Sequence, residues 1–263
     1  MPRSVSAFET IFFASVASIR GVCCTPRILE ASRRHLVGLV VSGPQADRRE
    51  GERPVSWLEE SARLRQHIVN IFGHRRRIEE YRPSMLEVPP AMIDVRTAWQ
   101  GLERVIPDII KRFNVGSSCC IEFGVEYGYS TVVFSNYFEQ VVGVDTFEGD
   151  VHTTDHGDHY ERTSSSLEQF RNISLHKADY KDWIRQDQRH YDLAHVDIVH
   201  TYEDTYRCGL WAATHSRVTL FHDTDSFVDV RNAVIDIARD TGKRLYNYPR
   251  FHGLGVMVPH DAI

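Results

Sequence analysis

The sequence predicts an α/β protein: a mostly parallel sheet with helices on both faces, preceded by an N-terminal helical extension. Three observations predict it. Short apolar runs alternate with helix-period stripes from about residue 95 to the end of the chain. Polar or glycine-bearing clusters follow those runs, where an open parallel sheet collects its ligands. The composition, 42% apolar and 25% charged over 263 residues, is that of a chain able to bury a large core.

The elements follow in order. Residues 1–54 carry no clear pattern; "HLVGLVVSG" (35–43) reads as a strand and "GPQADRREGERP" as a charged linker. From Trp57 to Phe72 the apolar spacing suits an amphipathic helix, ended by the basic run His74-Arg75-Arg76-Arg77. A proline-containing stretch from Arg82 to Pro90 marks a boundary, so residues 1–94 are expected to form an extension and 95–263 the main domain. "RTAWQGLERVIPDIIKRF" lines up Trp99, Leu102, Val105, Ile106, Ile109, Ile110 and Phe113 on one helical stripe, with Pro107 as a kink.

"SSCCIEFG" is then a strand, "YSTVVFSNYF" a helix, "QVVGVDTF" a strand, "SLEQFRNI" a helix and "ISLHKADY" a strand. "DLAHVD" (strand), "TYEDTYRCGLWAATH" (helix), "RVTLFHD" (strand) and "DVRNAVIDIARDTG" (helix) continue the alternation. Two short strands, "KRLYNY" and "GLGVMVP", close it. Parallel strands joined through helices give a Rossmann-like sheet buried on both faces.

Charge and cysteine usage narrow the function classes. A net charge of −5 offers no general attraction to nucleic acid or an anionic membrane. Five cysteines, with no C-x-x-C, suggest neither a disulfide framework nor a zinc site and point to a reduced, cytoplasmic protein. Residues 7–19 are apolar but interrupted by Glu9, and no run reaches the length of a membrane span.

"CIEFGVEYGYST" follows the first strand of the main domain. Gly124 and Gly128 suit a sharp turn with a close backbone approach to a ligand, and Ser130 stands where it could cap the next helix. Tyr127 lies between the two glycines. The pattern is G-x-x-x-G, without the G-x-G-x-x-G of a dinucleotide site, which disfavours a nicotinamide cofactor. Glu122 and Asp145 are acids at the ends of successive strands, where an unpaired carboxylate is costly. A nucleoside with ribose hydroxyls and a cationic amino-acid tail would satisfy both. Asp179, ending the third strand, suits either an adenine amino group or a helix N-cap.

With "IEFGVEYGYST", "VVGVDTFEGD", "DLAHVDIVHTYED", "LFHDTD" and "HGLGVM" in this order, residues from about 95 to 258 resemble class I S-adenosylmethionine-dependent methyltransferases. The resemblance is to the subgroup of small-molecule and sugar O-methyltransferases, the macrocin and mycinose type among them. It implies that Glu122, Gly124 and Gly128 hold the methionine part of S-adenosylmethionine and Asp145 the ribose, with Tyr127 and Ser130 also among the cofactor-binding residues. Metal-dependent members place an acid after the fourth strand and an acidic or amide pair after the fifth. Macrolide-sugar relatives add a histidine three residues beyond the first acid as general base.

Transferred residue by residue, this implies Asp197, Asp223 and His222 as ligands of a divalent cation, magnesium in the first instance, and His200 as the base. His222 departs from the pattern, since imidazole suits magnesium less well than carboxylate does. The plainer reading makes Asp197 the N-cap of the helix "TYEDTYRC" and His222-Asp223 a structural pair. The segment 147–166, with His152, Asp155, His156, Asp158 and His159, reads as a loop closing beside the cofactor, with a transition-metal site as the alternative.

The expected activity is methyl transfer to a hydroxyl of a sugar, glycoside or other small metabolite, with homo-oligomerisation through the N-terminal segment. The alternatives are a non-catalytic nucleotide-binding scaffold or an NAD-dependent oxidoreductase.

Overall fold

The computed structural model describes residues 77–149 and 157–262. The strand expected over 35–43, the helix over 57–72, the basic residues before Arg77, and His152, Asp155 and His156 lie outside the described residues. Within them an eight-stranded sheet runs in the order β1-β7-β8-β6-β5-β2-β3-β4. Its strands are β1 (Glu79–Glu80), β2 (Cys119–Phe123), β3 (Gln140–Asp145), β4 (Ile173–Lys177), β5 (Tyr191–Val196), β6 (Ser216–His222), β7 (Arg244–Tyr248) and β8 (Leu254–Val258). β8 pairs antiparallel with β6 and β7, and every other pairing is parallel. The α-helices are α1 (Ile106–Arg112), α2 (Tyr129–Ser135), α3 (Tyr160–Leu167), α4 (Tyr180–Gln186), α5 (Tyr202–His215) and α6 (Val228–Thr241).

Side-chain alternation along the strands builds two apolar layers. Cys120, Val141, Leu193 and Leu220 point to one face with Trp99, Ile106, Ile109 and Phe134. Their sequence neighbours Ile121, Val142, Ala194 and Phe221 point to the other, against Cys208, Ala212, Val234 and Ile237 of α5 and α6. Burying each large side chain on either face is worth about 1.5–3 kcal/mol, so both layers hold the sheet.

Several local expectations differ from the structure. The stripe from Trp99 to Phe113 is buried as expected, apart from a half-buried Ile110, but it is carried by a 3₁₀ turn (Leu102–Arg104) followed by α1. Pro107 therefore stands in the first turn of α1, where its missing N–H costs nothing, and does not kink a longer helix. The helix expected at 166–173 lies earlier, as α3, because Asn172 donates to the Ser135 and Phe138 carbonyls and fixes a turn before β4. Residues ahead of position 95 also join the sheet: β1 extends it beyond β7, and Tyr81 is buried and donates to Asp108 (2.5 Å).

The chain order reverses direction across the sheet between β2 and β5, which pair with each other. The carboxyl ends of those two strands border the crevice where this architecture binds ligands.

Candidate active site

The crevice holds a cavity of about 420 Å³ lined by Gly124, Asp145, Asp179, Asp197, His200, His222 and Asp223 among others. Register explains the convergence. β2 and β5 are paired up to Phe123 and Val196, and the Asp197 amide continues the ladder by donating to the Phe123 carbonyl (2.8 Å). β6 pairs with β5 on its other side, so Asp197 and Asp223 leave neighbouring strand ends.

Gly124 sits at φ +87°, and a Cβ there would lie 1.7 Å from the Asp197 carbonyl oxygen. The close approach that requires glycine is thus to the end of β5. Gly128, at φ +83°, begins α2, where a Cβ would press on Leu167. Asp145 binds its own surroundings tightly. Oδ2 accepts from the Val125 (2.7 Å) and Glu126 (2.8 Å) amides, and Oδ1 from that of Phe147 (2.8 Å). Glu126 and Phe147 both have positive φ, so this one carboxylate secures two strained turns on the cavity rim. Tyr127 lines the cavity, packed against His159 (5.1 Å between centroids) and beneath the Arg162 guanidinium. Asp179 lines it as well and is the N-cap of α4, accepting from the Lys181 amide (2.7 Å).

Two residues are placed differently from expectation. Glu122 is fully buried and does not line the cavity: its carboxylate accepts from Ser130 Oγ (2.5 Å), Thr131 Oγ1 and His195 Nδ1 (2.8 Å). Ser130 lines the cavity but does not cap α2, since its hydroxyl is committed to Glu122. Any hold on the methionine part therefore falls to the loop and α2 start that Glu122 anchors.

Asp197, His200, His222 and Asp223 form a quartet. His200 Nε2 lies 2.9 Å from Asp223 Oδ2 and 3.7 Å from Asp197 Oδ1. His222 Nδ1 lies 3.0 Å from Asp197 Oδ2 and 3.3 Å from Asp223 Oδ2. Burial works against charge on both imidazoles, but the two carboxylates outweigh it. They raise His200 to about 9 and His222 to about 10. The carboxyls are held below their usual range by the same contacts, against a burial effect that would raise them.

His222 Nε2 faces the Phe251 carbonyl (3.3 Å), an acceptor only, so Nε2 carries a proton and Nδ1 is the atom turned to the carboxylates. His200 stacks on Phe227 at 4.1 Å with planes 7° apart, a contact that fixes its ring plane. Asp223 adopts φ +62°, further strain at the same place.

Asp197 is not the cap of α5; Thr201 is, accepting from the Asp204 amide (3.1 Å). The carboxylate is thereby left to the quartet. Ligand atoms of Asp197, His200 and Asp223 lie within 4.8 Å of one another, a set able to hold a metal ion. His200 thus belongs to the converging set in which the sequence placed His222, whose Nδ1 nevertheless touches both carboxylates.

Sequence reasoning missed Phe227, Trp99 and His195. Only His195 left a signal, an ionisable ring in the otherwise apolar strand "DLAHV".

A parallel sheet reversing at β2/β5, a glycine turn after β2 and acids closing β3, β5 and β6 make up a Rossmann-like fold with its ligand crevice at the strand ends. Residues 121–224 match the family model described as a methyltransferase domain. No curated protein sequence matches the chain.

Solved structures similar to it include a candidate O-methyltransferase from Klebsiella pneumoniae (12% identity, 87% of this chain and 96% of that one, TM-score 0.46). An O-methyltransferase from Bacillus cereus in complex with SAH has 13% identity, 86% and 97% coverage and a TM-score of 0.44. A precorrin-6y C5,15-methyltransferase from Geobacter metallireducens has 9% identity, 65% and 91% coverage and a TM-score of 0.44. Likeness this distant assigns no residue role. No helix among the described residues is long and apolar enough to cross a membrane.

Proposed function

We propose that the chain is an S-adenosylmethionine-dependent methyltransferase acting on a hydroxyl of a small metabolite, a sugar or glycoside, with a divalent cation held by Asp197 and Asp223. The observation that carries the reading is the quartet itself: two carboxylates on adjacent strand ends with two imidazoles, bordering the cavity. The two carboxylates suit a hard divalent cation such as magnesium or manganese, and the neighbouring imidazole is the less usual donor to either. A bound cation would act as a Lewis acid and lower the pKa of the acceptor hydroxyl.

The chain's own residues do the rest. The Gly124–Ser130 loop, Asp145 and Asp179 orient the cofactor. His200, fixed by Phe227, would take the hydroxyl proton at Nε2, and bound S-adenosylmethionine would supply the methyl group. Committing Asp197 and Asp223 to a cation removes the contacts that keep His200 protonated, so cation and base belong to one device. His222 stays beside the carboxylates as a third ligand or their counter-charge. The enzyme on this reading works in the cytoplasm, in keeping with the free thiols of Cys119, Cys120 and Cys208, and as a homo-oligomer through its N-terminal segment.

The test is turnover with a panel of sugar and phenolic hydroxyl acceptors. His200→Ala should lower turnover by about 10²–10⁴-fold while cofactor affinity stays within about twofold. Exhaustive chelation should abolish activity, and manganese or magnesium should restore it. Full activity after chelation would mean that the two imidazolium groups alone neutralise Asp197 and Asp223, and the cation would be withdrawn.

A further inference from the structure

A polar chain crosses the apolar interior between two parts of the cavity wall. Trp99 Nε1 donates to His195 Nε2 (3.2 Å), and His195 Nδ1 meets Glu122 Oε1 (2.8 Å). Glu122 in turn accepts from Ser130 and Thr131 in the first turn of α2. Trp99 is 2% exposed, and His195 and Glu122 are 0% exposed. Trp99 and Ser130, at the two ends, both line the cavity, whereas His195 and Glu122 do not.

The donors fix the protons. An indole N–H only donates, so His195 Nε2 is a lone pair, the ring proton is on Nδ1, and it is donated to Glu122. One imidazole tautomer thus satisfies both neighbours, and the opposite one satisfies neither. Rotation is blocked by edge packing of the His195 ring against Trp99 (5.4 Å) and by Phe134 (5.4 Å). An unmet hydrogen bond among groups this deeply buried is costly, so displacing Trp99 disturbs the donors around Glu122.

We infer that Trp99–His195–Glu122 is a positioning relay. It couples the seating of the 95–99 wall to the placement of the α2 start, so that the two sides of the cofactor site are set together. His195 is the positioning residue and touches no reactant. The inference rests on the reading that this cavity holds the cofactor.

The test is a double-mutant cycle read by calorimetric titration of the full chain with S-adenosylhomocysteine. Trp99→Phe keeps a ring and removes only the N–H donor; it should weaken binding by about three- to tenfold, the worth of a neutral hydrogen bond. Ser130→Ala should then cost at least about threefold less in the Trp99→Phe background than in the natural chain. Effects that multiply to within about twofold, as unconnected sites give, would overturn the relay.

His195→Asn, whose amide nitrogen can take the place of Nδ1, keeps the donor to Glu122 and drops the acceptor for the indole. It should bind like Trp99→Phe, and wild-type affinity would also overturn the relay. Should that variant fail to fold, the Trp99/Ser130 cycle decides alone. A merely structural contact would lower the melting temperature equally in both backgrounds without coupling the dissociation constants. No binding by the natural chain would overturn the cavity reading and the relay together, whereas binding with independent variants would overturn the relay only.

Discussion

Gly124 shows how a single residue serves the site for a reason other than ligand contact. Its φ of +87°, and the mere 1.7 Å that would separate a Cβ from the Asp197 carbonyl oxygen, leave no room for alanine. Gly124→Ala should destabilise the protein by more than about 2 kcal/mol, from left-handed strain plus the displacement of β5's end. Urea unfolding measures this, and a loss below about 0.5 kcal/mol would contradict the geometry. The glycine was legible in the sequence; its reason was not, because β2 and β5 are distant in the chain and only their pairing brings Asp197 against the turn. The same non-local origin hid Phe227, whose stacking on His200 depends on how α6 enters beneath the quartet. Asp197 and Asp223 were legible as a pair because each ends an apolar run, and the parallel pairing of β5 with β6 does the rest.

At the scale of elements, Asp179 carries two roles that one substitution can separate. Its carboxylate caps α4 and also borders the cavity. Asp179→Ser keeps a capping oxygen and should leave stability within about 0.5 kcal/mol, whereas Asp179→Ala should lose about 1 kcal/mol. If the carboxylate also holds the adenine amino group, both variants should weaken S-adenosylhomocysteine binding by about tenfold, a charge-assisted hydrogen bond being lost in each. Equal stability losses with unchanged binding would leave Asp179 no part in the cofactor site. Strand positions were readable from apolar runs bounded by glycine and acids, and each of the strands expected between 117 and 258 is present. Helix ends were less so. α3 begins before the expected segment, and α4 was anticipated only through its cap, since "YKDWIRQ" has no fully buried residue and hence no strong apolar stripe.

At the scale of the molecule, the two buried layers leave the carboxyl ends of β2, β3, β5 and β6 as the region where backbone strain accumulates. Glu126, Phe147 and Asp223 all have positive φ there, while the sheet behind them is apolar and paired. A cofactor bound across those ends would engage turns from β2, β3 and β4 at once, so binding to the folded state alone should register in global stability. With free ligand at 100 times its dissociation constant, linkage adds about 2.7 kcal/mol. For a chain of this size that corresponds to roughly 5–10 °C in melting temperature. S-adenosylhomocysteine should give that shift and NADH none, because the turn after β2 has no G-x-G-x-x-G to receive a pyrophosphate. Asp145→Ala should abolish the shift while also lowering the starting melting temperature, since it releases both strained turns that the carboxylate holds. An unchanged ligand-induced shift in Asp145→Ala would show that those turns are held by something else and that Asp145 is not needed to shape the cofactor site.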